Sequence, residues 1–252
     1  MHSYKTGGIV LKGINFGEAD KILTILTERF GKIKAIAKGV RKIKSHLAGS
    51  LEPFMLVNLQ LHEGKTFYIV TGAAIEKDFP GIHSDLQKTA KAFFLGEMVD
   101  RFVEENQIVP EVFDLFSKAL AFQEENSREL ILRAFELKIV EAAGFKPELY
   151  DCVHCKEKIS AGENFWDDVE GGVICADCQA KFHHGDAKQS HGKAIADKTI
   201  KLFRFIEGNS FEKINSVKLD RAVEDEAESI LSEYVRNILE KELKSQRFLK
   251  MI

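Results

Sequence analysis

Two cysteine pairs, Cys152-x2-Cys155 and Cys175-x2-Cys178, stand 19 residues apart in this 252-residue chain. Two such knuckles let four thiolates converge as a tetrahedron, the geometry Zn2+ favours, and leave no open position for a substrate. A closed four-sulfur site is structural: it folds a segment too small to build its own core. The competing chemistries lack their residues. A thioredoxin-like redox pair needs one such motif after a strand in a βαβ unit, and none is visible. A zinc deaminase needs His-x-Glu, one cysteine pair and an open coordination position. His154 inside the first pair, and His183-His184 after the second, are donors that four cysteines make unnecessary.

A second cluster is cationic. Residues 29–47, RFGKIKAIAKGVRKIKSHL, hold seven Lys or Arg in nineteen positions and no Asp or Glu, although the whole chain has a formal charge of −3. Residues 1–80 carry 12 basic and 7 acidic side chains (+5), which leaves 36 − 12 = 24 basic and 39 − 7 = 32 acidic (−8) for the remainder. Such asymmetry points to a nucleic-acid or other anionic partner for the basic part. On a strand, period-2 alternation sends Ile33, Ala35 and Ala37 to one face and Lys32, Lys34 and Lys38 to the other, with Ile36 between them. Same-face neighbours lie about 6.6 Å apart, comparable with successive phosphates of an extended strand. Gly39 then releases a loop bearing Arg41, Lys42, Lys44 and His46. A charged barrel face with a basic loop tracks a phosphate backbone without reading bases. Phe16, Phe30, Phe54, Phe67 and Tyr68 are the aromatics available for stacking, and nothing singles one out.

The elements that must position these residues change character along the chain. From Tyr4 to about Phe79, short apolar or alternating runs broken by glycine predict about five strands, which fit a small closed barrel of the OB-fold or SH3-like kind. After Pro80, helical stripes appear: Phe94, Leu95, Met98 and Val99, then Val112, Phe113 and Phe116, then Ile131, Phe135 and Ile139. Asn126 with Glu129 has the spacing to cap the third helix, and Gly144 with Pro147 closes it. Helical periodicity returns from Lys198, and 183–194 is the most loop-like stretch. The expectation is an α+β multidomain chain: a barrel at 1–80, a helical domain at 81–150, an inserted zinc-finger-like four-cysteine subdomain at 151–185, and C-terminal helices at 186–252 packing with the helical domain.

Several classes find no support. There is no phosphate-binding loop, no G-x-S-x-G elbow and no H-E-x-x-H helix, so neither nucleotide-driven work nor catalysis is expected. Glu104-Glu105, Glu124-Glu125 and Asp167-Asp168 read as solvated surface rather than acid/base dyads. No apolar run is long enough for a membrane helix, and the start has no signal-peptide layout, so the expected compartment is the cytosol.

Residues 4–54 carry the clearest likeness to a known family. A Gly-Ile-Val-Leu strand, a Gly-Glu-x-Asp-Lys turn, an Ala-Lys-Gly-x-Arg-Lys basic loop and a Leu-x-Pro-Phe close follow in order. In these motifs, and in its order of parts over essentially its full length, the chain resembles the RecO family of bacterial DNA repair and recombination mediators. Some members lack the cysteines; this chain has all four. The resemblance implies an OB-fold whose face and loop bind single- and double-stranded DNA through Lys32, Lys34, Lys38, Arg41, Lys42 and Lys44, with Arg29 at the rim. It implies strand annealing and loading of the RecA recombinase on strands coated by the single-strand-binding protein (SSB), together with RecR and often RecF, in the cytoplasm at the nucleoid. It also implies docking of the acidic, apolar C-terminal tail of SSB on the helical domain. The family pattern Leu-Arg-x-Phe-Glu-Leu falls on residues 132–137, so Arg133 would pair with the tail's terminal carboxylate beside Phe135 and Leu137. Two rival readings remain open: an OB-fold RNA-binding module of translation or transcription, and a zinc-dependent hydrolase or deaminase.

Overall fold

The computed structural model describes residues 3–183, 192–249 and 251–252. The chain forms two compact units, Met1–Ser127 with Leu243–Ile252, and Arg128–Glu242.

The first unit begins with five strands, β1 (Ser3–Phe16), β2 (Asp20–Thr27), β3 (Gly31–Ala37), β4 (Leu56–His62) and β5 (Tyr68–Lys77). They close into a barrel in the order β1-β2-β3-β5-β4, and only the β3–β5 pairing is parallel. The length of β1 makes closure possible: its first half pairs with β4 and its second half with β2, with a register shift between Val10 and Lys12. A bulge there adds twist where the strand passes from one neighbour to the other. The expected alternation holds along β3, with Ile33, Ala35 and Ala37 fully buried among Val10, Leu23, Ile25, Val57 and Leu61. Gly31 is obligatory at the β2–β3 turn. Its φ is +67°, and a Cβ there would lie 1.9 Å from the carbonyl oxygen of Gln107.

Helices α1 (Pro80–Ser84), α2 (Leu86–Phe102) and α3 (Pro110–Glu125) follow in the same unit. The Asp85 side chain accepts from Lys88 N–H at the start of α2, and Glu124 accepts from the amides of Gly81 and Ile82 at 2.8 and 2.7 Å. Residues 244–249 form α9, which packs on α2. Glu97 of α2 caps it by accepting from Lys244 N–H, Ser245 N–H and the Ser245 hydroxyl.

The second unit contains α4 (Glu129–Ala142), the strands β6 (Asn164–Asp167), β7 (Gly172–Cys175) and β8 (Lys193–Ile195), and the helices α5 (Ala176–His183), α6 (Asp197–Glu207), α7 (Phe211–Asn215) and α8 (Arg221–Leu239). The sheet order is β7-β6-β8, all antiparallel. Trp166 of β6 anchors it, with its ring edge-on to Phe203 and Tyr234 and its indole N–H donating to Asp168.

Three boundaries differ from expectation. The division falls between α3 and α4 instead of near residue 150, so the stretch 81–150 is not one compact body. Asn126 ends α3 and makes no cap for α4, because Ser127 takes a left-handed φ of 47° between them. The cysteine-bearing sheet also runs past residue 185, since β8 completes it at 193–195. His184 and most of the loop expected at 183–194 lie outside the described residues. Among the described residues, no helix is long and apolar enough to cross a membrane.

Candidate nucleic-acid interface and metal centre

The outward lysines of β3 meet the end of α2 and the turn after it. Lys32 is only 13% exposed; its ammonium donates to the backbone carbonyl of Asp100 and lies 3.4 Å from that residue's carboxylate. A cation at the last turn of a helix satisfies free carbonyls and the helix dipole, so Lys32 is a structural fastener. Asp100 also receives the ammonium of Lys12 at 2.5 Å. Burial pushes the Asp100 carboxyl up, but the Lys12 hydrogen bond and the Lys32 charge outweigh it and hold the group below the usual aspartate range. Lys34 pairs with Glu105 at 2.8 Å, and that carboxylate raises the lysine's pKa.

The loop after β3 is arranged differently. Gly39, at φ +65°, donates its N–H to Asp20 at 2.7 Å, and Arg41 N–H donates to Ala19 carbonyl at 2.9 Å. The Arg41 guanidinium reaches the carbonyls of Gly17 and Glu18 at 3.4 and 3.2 Å. Arg41 therefore ties the loop to the β1–β2 turn. Lys42 N–H closes a turn on Gly39 and Ser45 N–H closes another on Lys42, with Val40 buried beneath. Lys38, Lys42 and Lys44 point to solvent, and among the described residues none has a carboxylate at ion-pair distance. Arg29 is exposed at the β2–β3 turn and donates to the Lys5 carbonyl at 3.3 Å. The seven predicted cations thus separate into a fastened group (Lys32, Lys34, Arg41) and an open one (Lys38, Lys42, Lys44, with Arg29 at the rim).

In the second unit, the sulfurs of Cys152, Cys155, Cys175 and Cys178 all lie within 4.8 Å of one another, and Cys155 Sγ is 3.8 Å from Cys175 Sγ. Tetrahedral bonds of about 2.3 Å to zinc require sulfurs about 3.8 Å apart. The first pair sits on the tight turn before the sheet, and the second spans the end of β7 and the start of α5. Burial opposes ionisation of Cys152, but the N–H groups of Cys175, Cys155 and His154 aim at its sulfur and bring the thiol down to about 6. Cys178 is pushed up to about 12 by burial and then by the neighbouring sulfurs. Four thiolates cannot share this space without a cation; the set could hold one divalent metal ion. His154 is directed elsewhere, with its Nε2 3.6 Å from Asp167.

Arg133, Phe135 and Leu137 lie on α4 and are buried, Arg133 to 3% exposure. The guanidinium Nε stands 3.1 Å from the Glu136 carboxylate, so this helix presents an internal ion pair where an open cation was expected. The carboxylates read as solvated surface are also engaged. Glu124 caps α1, Asp167 accepts from the N–H groups of Val169 and Glu170, and Glu105 holds Lys34. The one local signal for any of these was the position of Asp167-Asp168 directly before Val169-Glu170-Gly171-Gly172, a turn composition in which an Asp side chain folds back on its own backbone.

Comparison with known proteins adds the following. The family model for recombination protein O N terminal matches residues 1–79, and that for recombination protein O C terminal matches residues 83–247. A protein named DNA repair protein RecO from Dehalococcoides mccartyi strain CBDB1 is 35% identical over 245 residues, which is 97% of this chain and 94% of that protein. A protein of the same name from Roseiflexus sp. RS-1 is 33% identical over 98% of this chain and 84% of its own length. Another from Alkaliphilus metalliredigens QYMF is 34% identical, covering 92% of each.

Proposed function

The chain belongs to the recombination protein O family of DNA repair proteins, and from that membership we propose a non-enzymatic mediator that grips nucleic-acid phosphates with its barrel and anneals complementary strands. The barrel is an OB-fold in this reading, which its strand order and single parallel closure support. The observation that carries the proposal is the β3–β4 loop. Asp20 and Arg41 pin it to a neighbouring turn while Lys38, Lys42 and Lys44 stay open. Lysines on a held loop lose less freedom on binding, and each phosphate neutralised releases counterions. Annealing follows from a grip that is blind to sequence: two strands held by their backbones keep their bases free to pair.

Structural Zn2+ belongs to the same reading. The four sulfurs would hold it and order the β6–β7–β8 sheet, with no position left for chemistry. RecR, RecF and SSB are the proposed partners, and RecA the recombinase whose loading is helped, in the cytoplasm at the nucleoid. Tail docking at Arg133 would require the guanidinium to exchange Glu136 for the tail's terminal carboxylate.

The test is annealing of two complementary labelled strands, each pre-coated with SSB from the same organism, without ATP. Acceleration by the protein, lost when Lys38, Lys42 and Lys44 are changed to Glu, supports the mediator. Binding without acceleration demotes it to a binding module. A strong preference for RNA strands of the same sequence transfers the barrel to RNA work.

A further inference from the structure

The carboxylates facing the β3 lysines form a built feature that the proposed grip leaves unexplained. Asp100, Glu104 and Glu105 line one side of a cleft of about 640 Å3, and Lys12, Lys32 and Lys34 line the other. Asp100 bridges Lys12 and Lys32, and Glu105 holds Lys34. Backbone contacts keep this acidic segment in place: Asn106 N–H donates to the Lys32 carbonyl at 2.8 Å, and Gly31 lacks a side chain where the Gln107 backbone passes. The side chains of Lys12 and Lys34 remain 54% and 47% exposed, so solvent, and a phosphate, can reach both.

We propose that Asp100 and Glu105 act as an internal phosphate mimic, holding Lys12 and Lys34 so that the nucleic-acid grip is confined to the loop at 38–44. The inference rests on the nucleic-acid reading of the barrel. Each carboxylate offers an ammonium the anionic oxygen that a phosphate would offer, and it stays tethered at high local concentration. The Lys34–Glu105 pair is half exposed on both sides, and such pairs contribute little to stability. Its consequence lies in what Lys34 is free to bind. Lys32 stays out of the exchange because it also serves the backbone carbonyl of Asp100.

Full-length protein and its variants are titrated with a labelled single-stranded oligonucleotide between roughly 0.05 and 0.3 M salt. Each lysine freed should steepen the log–log salt slope by about 0.7 and tighten binding about fivefold at 0.1 M salt. Glu105→Gln should therefore steepen it by about 0.7 and Asp100→Asn/Glu105→Gln by about 1.4. Adding Lys12→Met and Lys34→Met to the acid-free protein should return the slope to the wild-type value. The same two lysine changes in the wild type should leave it unchanged. An unaltered slope in folded acid-free protein overturns the inference, as does equal weakening by the lysine changes in both backgrounds. If the double variant loses its thermal transition, Glu105→Gln, which touches only the exposed pair, decides. Wild type and variants that alike bind neither DNA nor RNA overturn the nucleic-acid reading itself.

Discussion

The barrel and the cysteine-bearing sheet keep order by opposite means. The barrel is filled by aliphatic side chains such as Val10, Leu23, Ile25, Val57 and Leu61, and its charges sit outside that core. In the small sheet the cluster at the cysteine end is Cys152, Ile174 and Cys178, so two of its three buried members are the residues with chemistry to offer, while Trp166 and Val173 supply apolar burial elsewhere in the sheet. A segment that folds by its reactive groups has none left to act with. A segment that folds by aliphatic burial can spend its polar groups on a partner. The open lysines of the first unit and the closed thiolate set of the second are two outcomes of that rule.

The comparison breaks most visibly at Cys175. Cys175→Ser should abolish metal retention and lower the thermal midpoint of the second unit by roughly 10 °C or more, measured by metal analysis and calorimetry. DNA affinity per folded molecule should be unchanged; a folded, metal-free variant that no longer binds DNA would contradict the division of labour. On the other side, Lys38→Ala/Lys42→Ala/Lys44→Ala should lose about 2 units of salt slope and weaken binding about 100-fold at 0.1 M salt. Its unfolding midpoint should stay at the wild-type value, because none of the three makes an ion pair among the described residues. Gly31→Ala addresses the barrel's own order. A Cβ at positive φ against the Gln107 backbone should cost about 1–3 kcal/mol in urea unfolding.

The smallest effect sharpens the picture by its pH dependence. Asp100 is held below its ordinary pKa by Lys12 and Lys32. Its contribution is present above the unfolded value of about 3.9 and disappears as pH falls through the lower folded value. Asp100→Asn should therefore be less stable than wild type near neutral pH, and the two curves should converge as the pH falls through the lowered folded value. Parallel curves over the whole range would mean the carboxylate's charge plays no part.

What could be read in advance was what repeats or clusters locally. Period-2 alternation marked β3 and its buried face, and two close cysteine pairs marked the four-sulfur cluster before any fold was known. The β1–β2 turn and the basic loop were visible as motifs, but their hydrogen-bonded union through Asp20 and Arg41 was not. Long-range pairing was out of reach: nothing near Lys32 announces Asp100, 68 residues later, and nothing in Arg133-Ala-Phe-Glu136 says the two charges will turn inward together. Lysines were therefore counted as one surface although the structure separates them. The division between the units was hidden for a related reason, since it depends on residues 243–252 returning to the first unit.

That return has a consequence for synthesis. Glu97 and α2 are translated long before Lys244 and Ser245, the backbone groups that Glu97 caps. Residues 128–242 must leave the ribosome in between, which takes about 6–23 s at roughly 5–20 residues per second. During that interval the barrel can close on its own strands, but the α9 side of α2 faces water and Leu243, buried in the finished protein, has not yet arrived. The first unit is thus begun first and completed last. The nascent chain carries an unfinished seam across the whole time in which the cysteine-bearing unit is being made.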